Sequence, residues 1–225
     1  MKDIKYIIFD MGKVLLGPTT GDWIITPTLL KYIKKDDIDK INNVKKEIKD
    51  IIHRKAVTIE EEYALFLEYY SKLNKMANLN LTEDEINEIV YDFVYDKKDD
   101  KYFLYDDVKD VIKDLSKDYT LLIISDNWPC AIEYLKTKDL YKFFKKVYIS
   151  SIYGIRKKEK GLFDFPIKDF NIKENEALFI DDRIELLDIA KEKGFNVLLM
   201  DRDNLITESR YQVIHNLSEI KEIIY

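Results

Sequence analysis

Cysteine is almost absent from this 225-residue chain, with Cys130 the only one. A lone thiol closes no internal disulfide, so the sequence is not that of a cystine-stapled fold and nothing in it points to an oxidising compartment. Cys130 follows Pro129 near an expected helix start and reads as a packed thiol. Histidine is nearly as scarce: His53 and His215 each stand alone in stretches expected to be helical, and neither is expected to act in catalysis. No stretch approaches the roughly 18 apolar residues of a membrane span, and the opening MKDIKYIIFD lacks the apolar run of a secretion signal. A soluble, cytoplasmic protein is the expectation, with no membrane partner. Basic charge is not in excess either. Lys and Arg number 37 against 43 Asp and Glu, a net charge of −6, which argues against non-specific binding to nucleic acid. No internal repeat is visible.

What the chain does have is short apolar runs alternating with helical patterns. Tyr6–Phe9, Tyr119–Ser125, KVYISS (146–151), EALFID (176–181) and NVLLM (196–200) are apolar on both faces, as strands of a helix-covered parallel sheet are. Between them, Val108, Val111, Ile112 and Leu115 form a helical stripe, and RIELLDIAKEKG (183–194) has helical spacing and stops at Gly194. The rhythm predicts an α/β fold: a doubly wound, Rossmann-like parallel sheet. It is interrupted after the first strand. Residues from about 20 to 103 carry only helix signals, including capping boxes at Thr58/Glu61 and Thr82/Glu85. Ile59, Tyr63, Phe66, Leu67 and Tyr70 line one expected helix face; Ile86, Ile89, Val90 and Phe93 line another. The expected organisation is an α/β core of residues 1–18 and 104–225 with an inserted all-helical cap domain of residues 19–103. Gly17, Pro18 and Gly21 make a plausible hinge, and the charge run DKKDDK (96–101) reads as a solvated connector. Trp23, close in sequence to the first strand end, reads equally well as lining a pocket or as part of the cap interior.

Ligands of open α/β sheets bind outside the carboxyl ends of the strands. Here those ends are acidic: Asp10 after the first strand, Ser125, Asp126 and Asn127 after the second, and Asp181 and Asp182 after the strand at 176–181. Converging carboxylates repel and call for a cation, and carboxylate oxygens with water suit Mg²⁺. Arg156, Lys157 and Lys158 follow the strand at 146–151 and would offset the charge of an anionic substrate.

The ordered set resembles the haloacid dehalogenase-like hydrolase superfamily, whose members are mostly phosphatases. FDMGKVL (9–15) looks like its first motif, LLIISDN (121–127) its second, GIRKKEKGLF (154–163) its third and LFIDD (178–182) its fourth. The helical insertion sits where that family places a cap. The resemblance implies a Mg²⁺-dependent phosphatase acting on a small phosphorylated metabolite, a sugar phosphate among the candidates. It makes Asp10 the nucleophile and Lys157 the motif lysine. Ser125, Asp126, Asn127 and Lys157 are then substrate-binding, and Asp10, the Gly12 carbonyl, Asp181 and Asp182 are the metal site, with Asp182 the direct ligand. Four departures stand out. Gly12 replaces a second aspartate that serves as general acid, help typically worth about 10²–10⁴-fold. Lys158 replaces a proline and reads as a solvated lysine. Leu186 replaces an asparagine. Asp126 stands where asparagine is common and reads best as capping the next helix with Asn127. A weakly active or non-catalytic relative and a haloacid dehalogenase remain the alternatives. The paired acids argue against the second, because carbon–halogen hydrolysis by the same aspartate needs no metal.

Overall fold

The computed structural model describes residues 3–95 and 100–224. Eight strands run β1 (Tyr6–Phe9), β2 (Leu16–Pro18), β3 (Tyr102–Leu104), β4 (Thr120–Ser125), β5 (Phe144–Ile149), β6 (Ala177–Asp181), β7 (Asn196–Met200) and β8 (Val213–Ile214). Six of them form one sheet in the order β5-β4-β1-β6-β7-β8, and every pairing in it is parallel. The helices are α1 (Pro27–Leu30), α2 (Asp37–Ile48), α3 (Ile59–Ala77), α4 (Glu83–Tyr95), α5 (Val108–Leu115), α6 (Cys130–Thr137), α7 (Ser150–Tyr153), α8 (Asp164–Phe170), α9 (Ile184–Glu192) and α10 (Glu219–Ile224), with short 3-10 turns between some of them.

The double winding follows from the two-residue period of a strand. Ile7, Phe9, Leu121, Ile123, Leu178 and Ile180 face one side and pack with residues of α5, α6 and α10. Ile8, Leu122, Ile124 and Phe179 face the other and pack with Leu187 and Ala190 of α9. Runs that are apolar on both faces are buried on both faces. Val108, Val111, Ile112 and Leu115 are all buried, as their spacing requires.

Residues 27–95 hold α1 to α4 and no strand. They have their own apolar cluster, rich in aromatic rings: Phe66, Tyr69, Tyr70 and Phe93 are buried there, with Trp128 packed against them. The Thr58 capping box is present, and Thr82 and Glu85 exchange hydrogen bonds in the same pattern. The buried face of α3 is rotated from the expected one. It comprises Glu62, Phe66, Tyr69, Tyr70, Leu73 and Ala77, while Ile59, Tyr63 and Leu67 are only partly covered.

The connections back to the sheet hold two short strands that the sequence reading missed. β2 and β3 pair antiparallel, Leu16 opposite Leu104, Gly17 opposite Phe103 and Pro18 opposite Tyr102. Three-residue strands, one of them Leu-Gly-Pro, give no periodic signal; tertiary pairing makes them. A Cβ on Gly17 would lie 2.6 Å from Phe103 Cζ, so any larger residue there would displace that exposed ring. Other expectations shift. Ser150 and Ser151 open α7 and do not end β5. Neither histidine is in a helix: His53 sits in the turn after α2 and His215 in the turn after β8. Residues 96–99 of the charge run lie outside the described residues. Lys101 is not solvated but buried, its ammonium over the rings of Phe93 and Tyr102 and donating to the Phe93 carbonyl.

Candidate active site

The central three strands bring the acids together. Phe9 is in register with Ile123 on β4 and Ile180 on β6, and the Asp10 amide donates to the Ile180 carbonyl at 2.9 Å. Asp10 therefore emerges beside Asp181, with Ser125 at the end of the neighbouring strand. Oxygens of Asp10, Asp181 and Asp182 lie within 4.8 Å of one another.

Lys157 crosses to this cluster from the 3-10 turn after α7 and is 1% exposed. Its Nζ donates to Asp181 Oδ2 at 2.6 Å and lies 3.0 Å from Asp10 Oδ1. The second contact is badly angled, and Asp10 Oδ1 is left buried without a hydrogen-bond partner. Asp181 is fully buried; its other oxygen accepts from the Arg183 amide at 2.9 Å. Burial pushes Asp181 up to about 8 against the pull of Lys157, with Asp10 adding to the rise. Burial and the Asp10 charge lift Asp182 to about 6. Burial lowers the Lys157 ammonium, but the charges of Asp10, Asp181 and Asp126 outweigh it and hold the group above its usual value.

Three acids crowd against a single ammonium here, more than that one charge can neutralise if all of them ionise. That crowding raises the acids, and a divalent cation would relieve it. The donors are all oxygens, one of them orphaned, which is a set fitted to Mg²⁺. Asp181 is engaged by Lys157 and Arg183, whereas Asp182 opens on the cavity.

The cavity is about 320 Å³. Asp10, Gly12, Ser125, Asp126, Asn127, Lys157 and Asp182 all line it; Asp181 stands behind them, bonded to Lys157 and to the Arg183 amide. Lys13, Arg156 and Arg183 add positive charge to the rim, and Trp23, Ile24, Ile52, Tyr102 and Trp128 close it with apolar surface. Lys158 is exposed, and Leu186 is buried in α9.

The capping role expected of Asp126 is overturned. Its Oδ1 accepts from the Lys157 amide at 2.9 Å, and its Oδ2 lies 3.6 Å from the Arg156 guanidinium. It holds the lysine-bearing turn in place. Helix α6 is capped from another element: the Cys130 amide donates to Glu62 Oε2 of α3 at 2.8 Å. The Cys130 thiol is buried, and burial with the Glu62 charge pushes it well above the ordinary thiol value. His53 lies 3.2 Å from Arg156 at the cavity's flank, where burial and that guanidinium lower its pKa. Sequence reasoning missed Glu62, Ile52, Trp128, Lys13 and Arg183. For Glu62 there was a signal, a carboxylate three residues after Ile59 and four before Phe66 on a helix otherwise apolar along that side.

A family model described as haloacid dehalogenase-like hydrolase matches residues 4–194. D-ribitol-5-phosphate phosphatase of Bacteroides thetaiotaomicron is 27% identical over 201 residues, covering 85% of this chain and 89% of that protein. The magnesium-bound crystal structure of Bacillus subtilis YfnB superposes with a TM-score of 0.73 at 16% identity over 98% of each chain. L-2-haloacid dehalogenase of Xanthobacter autotrophicus, with chloropropionic acid covalently bound, gives 0.69 at 13% identity, again over 98% of each. At such identities the two structures speak for the fold alone. The model's match over most of the chain does more, and with the strand-end acids in place this chain belongs to the haloacid dehalogenase-like hydrolases.

Proposed function

We propose that this hydrolase is a Mg²⁺-dependent phosphatase of a small phosphorylated metabolite, of the sugar phosphate class, working through an aspartyl-phosphate on Asp10. The observation that carries the reading is the Lys157 ammonium held between Asp10 and Asp181 at the floor of a cavity whose rim is cationic. The phosphatase name of the Bacteroides relative supports it. The reading takes residues 1–18 and 104–225 as the core and 19–103 as the cap that supplies Trp23, Ile24, Ile52 and Tyr102 to the wall.

In this mechanism a carboxylate oxygen of Asp10 attacks phosphorus as the bond to the ester oxygen breaks, the departing alkoxide takes its proton from water because Gly12 supplies none, and a water then cleaves the acyl phosphate to release inorganic phosphate and restore the Asp10 carboxylate. Lys157 neutralises charge on the transferring group and fixes the attacking carboxylate, while Ser125 and the Asn127 loop hold the non-bridging oxygens. Asp126 and Asp181 are positioning residues, the first through the Lys157 amide and the second through its ammonium. The metal would be held by Asp10, Asp182 and the Gly12 carbonyl, with Asp181 behind them, and supplies charge neutralisation to the phosphoryl oxygens. A cavity of this volume suits a small ligand.

The test is turnover of nitrophenyl phosphate and a panel of sugar phosphates by protein stripped with chelator, with and without added Mg²⁺. Turnover is expected only with Mg²⁺ and only with Asp10 intact. Undiminished turnover in excess chelator would remove the metal from the reading, and activity of Asp10→Asn would remove the nucleophile.

A further inference from the structure

Gly12 needs explaining on its own terms. It is not among the glycines with positive φ, so its backbone conformation does not call for glycine; the left-handed residue of that turn is Lys13, at φ 54°. What crowds a side chain there is a neighbour. A Cβ on Gly12 would lie 3.2 Å from Trp23 Cζ2 and 3.5 Å from Cη2. The edge of the indole occupies the space into which any larger residue at position 12 would grow. Trp23 lies on the outgoing connection of the helical segment and packs on Tyr102 of the returning one, with ring centroids 5.6 Å apart. It is only half-buried, and it lines the same cavity as Asp10 and Lys157.

We propose that Trp23 is a specificity-determining residue of this site: its indole, seated where a side chain of residue 12 would stand, selects phosphate esters whose alcohol presents a flat apolar face. This inference rests on the phosphatase reading for the word ester, but not for the preference itself. At the position two residues after Asp10 the site has the edge of an aromatic ring in place of a side chain of its own. A ring, either the C–H face of a cyclic sugar or an aryl group, gains contact area and favourable edge or stacking geometry against indole. A linear polyol turns hydroxyls to every side and loses hydration against the same surface without gaining partners. Ile24 and Ile52 extend the wall with further apolar surface and offer no side-chain hydrogen bond.

The test separates this wall from catalysis by using non-hydrolysable ligands. Binding of phenylphosphonate and methylphosphonate is measured by calorimetry with Mg²⁺ present, for the wild type, Trp23→Ala, Trp23→Leu and Trp23→Phe. The wild type is expected to prefer phenylphosphonate by about tenfold, the size of a well-made aromatic contact. Trp23→Ala and Trp23→Leu should bring the ratio to within about twofold of unity, with Trp23→Phe retaining most of it; Leu keeps the bulk and removes the flat face. Gly12→Ala, which presses on the indole, should lower the ratio in the wild type and leave it unchanged in the Trp23→Ala background. A ratio that survives loss of the ring, or a wild type indifferent to it, overturns the assignment. Failure of the phosphatase reading looks different: the phosphonate preference would stand while no phosphate ester, cyclic or linear, is hydrolysed.

Discussion

The sheet and the helical segment each bury a carboxylate completely, Asp181 at the end of β6 and Glu62 on α3. Asp181 is surrounded: an ammonium on one oxygen, a backbone amide on the other, two more acids beside it and a cavity in front. Glu62 has one backbone amide, from the first turn of α6, while Oε1 has no partner and Lys101 only adds a favourable field. The first carboxylate belongs to a charge cluster that an external cation would complete. The second is a joint between an element of the cap and an element of the core. Burial is the same in the two places, and what differs is the company: an ammonium, an amide and two further acids around Asp181, a single backbone amide and one orphaned oxygen at Glu62.

The comparison breaks most visibly through turnover. Asp10→Asn should abolish hydrolysis, a loss of about 10⁴-fold or more in kcat, whereas Glu62→Gln, which keeps an acceptor for the Cys130 amide, should stay within about tenfold of the wild type. Equal losses in a steady-state assay would make Glu62 part of the chemistry. Next in size is the buried lysine. Lys157→Ala strands Asp10 and Asp181 and should destabilise the fold by about 3–5 kcal/mol, while Lys158→Ala on the exposed flank should change it by less than about 0.5 kcal/mol. Denaturant titration of the two variants decides it, and matching values would mean that the ion pair is not formed in solution.

A third expectation concerns pH. Burial raises Glu62 from 4.5 to about 7, with the Cys130 contacts and Lys101 pulling the other way. Between those values folded Glu62 holds a proton that the unfolded chain has released, so its contribution is full below about 4.5 and lost as pH climbs towards 7 and beyond. The loss is about 3 kcal/mol, and Glu62→Gln should remove it. Asp181 and Asp182 titrate in the same direction in both proteins when a chelator is present, so the difference between the two stability–pH curves isolates Glu62. Parallel curves would show that the carboxylate is already ionised in its joint. The smallest effect is on metal affinity: Asp182→Asn should weaken Mg²⁺ about tenfold more than Asp181→Asn, because Asp181 is engaged by Lys157. Isothermal titration with the reverse order would make Asp181 the direct ligand.

The strand-end residues were legible because apolar runs announce strands, and in a parallel sheet the strand ends share one rim. Lys157 and Asp10 could be read from that rule and the motif spacing together. The missed features have tertiary causes. Glu62 stands on an apolar helix face, and a period-based reading turned it outward and rotated the face of α3 with it. Asp126 looked like a cap because Asp and Asn before Pro129 are good local signals, yet its partner is an amide 31 residues on. The β2–β3 ribbon sets Gly17 under the Phe103 ring, a pairing no single segment reveals. Gly12 was visible as an anomaly, but its explanation lies in Trp23, eleven residues on and folded back.

Trp128 follows Ser125–Asn127 directly, yet its ring packs against Phe66 and Phe93, and its indole N–H donates to the Ile52 carbonyl at 2.7 Å. The helical segment is therefore tethered to the sheet at several points, among them the β2–β3 ribbon, the Glu62–Cys130 and Ala56–Ser151 hydrogen bonds and this one ring, and the ring's residue shares a peptide bond with the binding loop. A substitution that reshapes the aromatic interior, far from any substrate atom, is transmitted to that loop by covalent geometry. Sequence drift in the interior of the cap is thus constrained by the same selection that acts on the site.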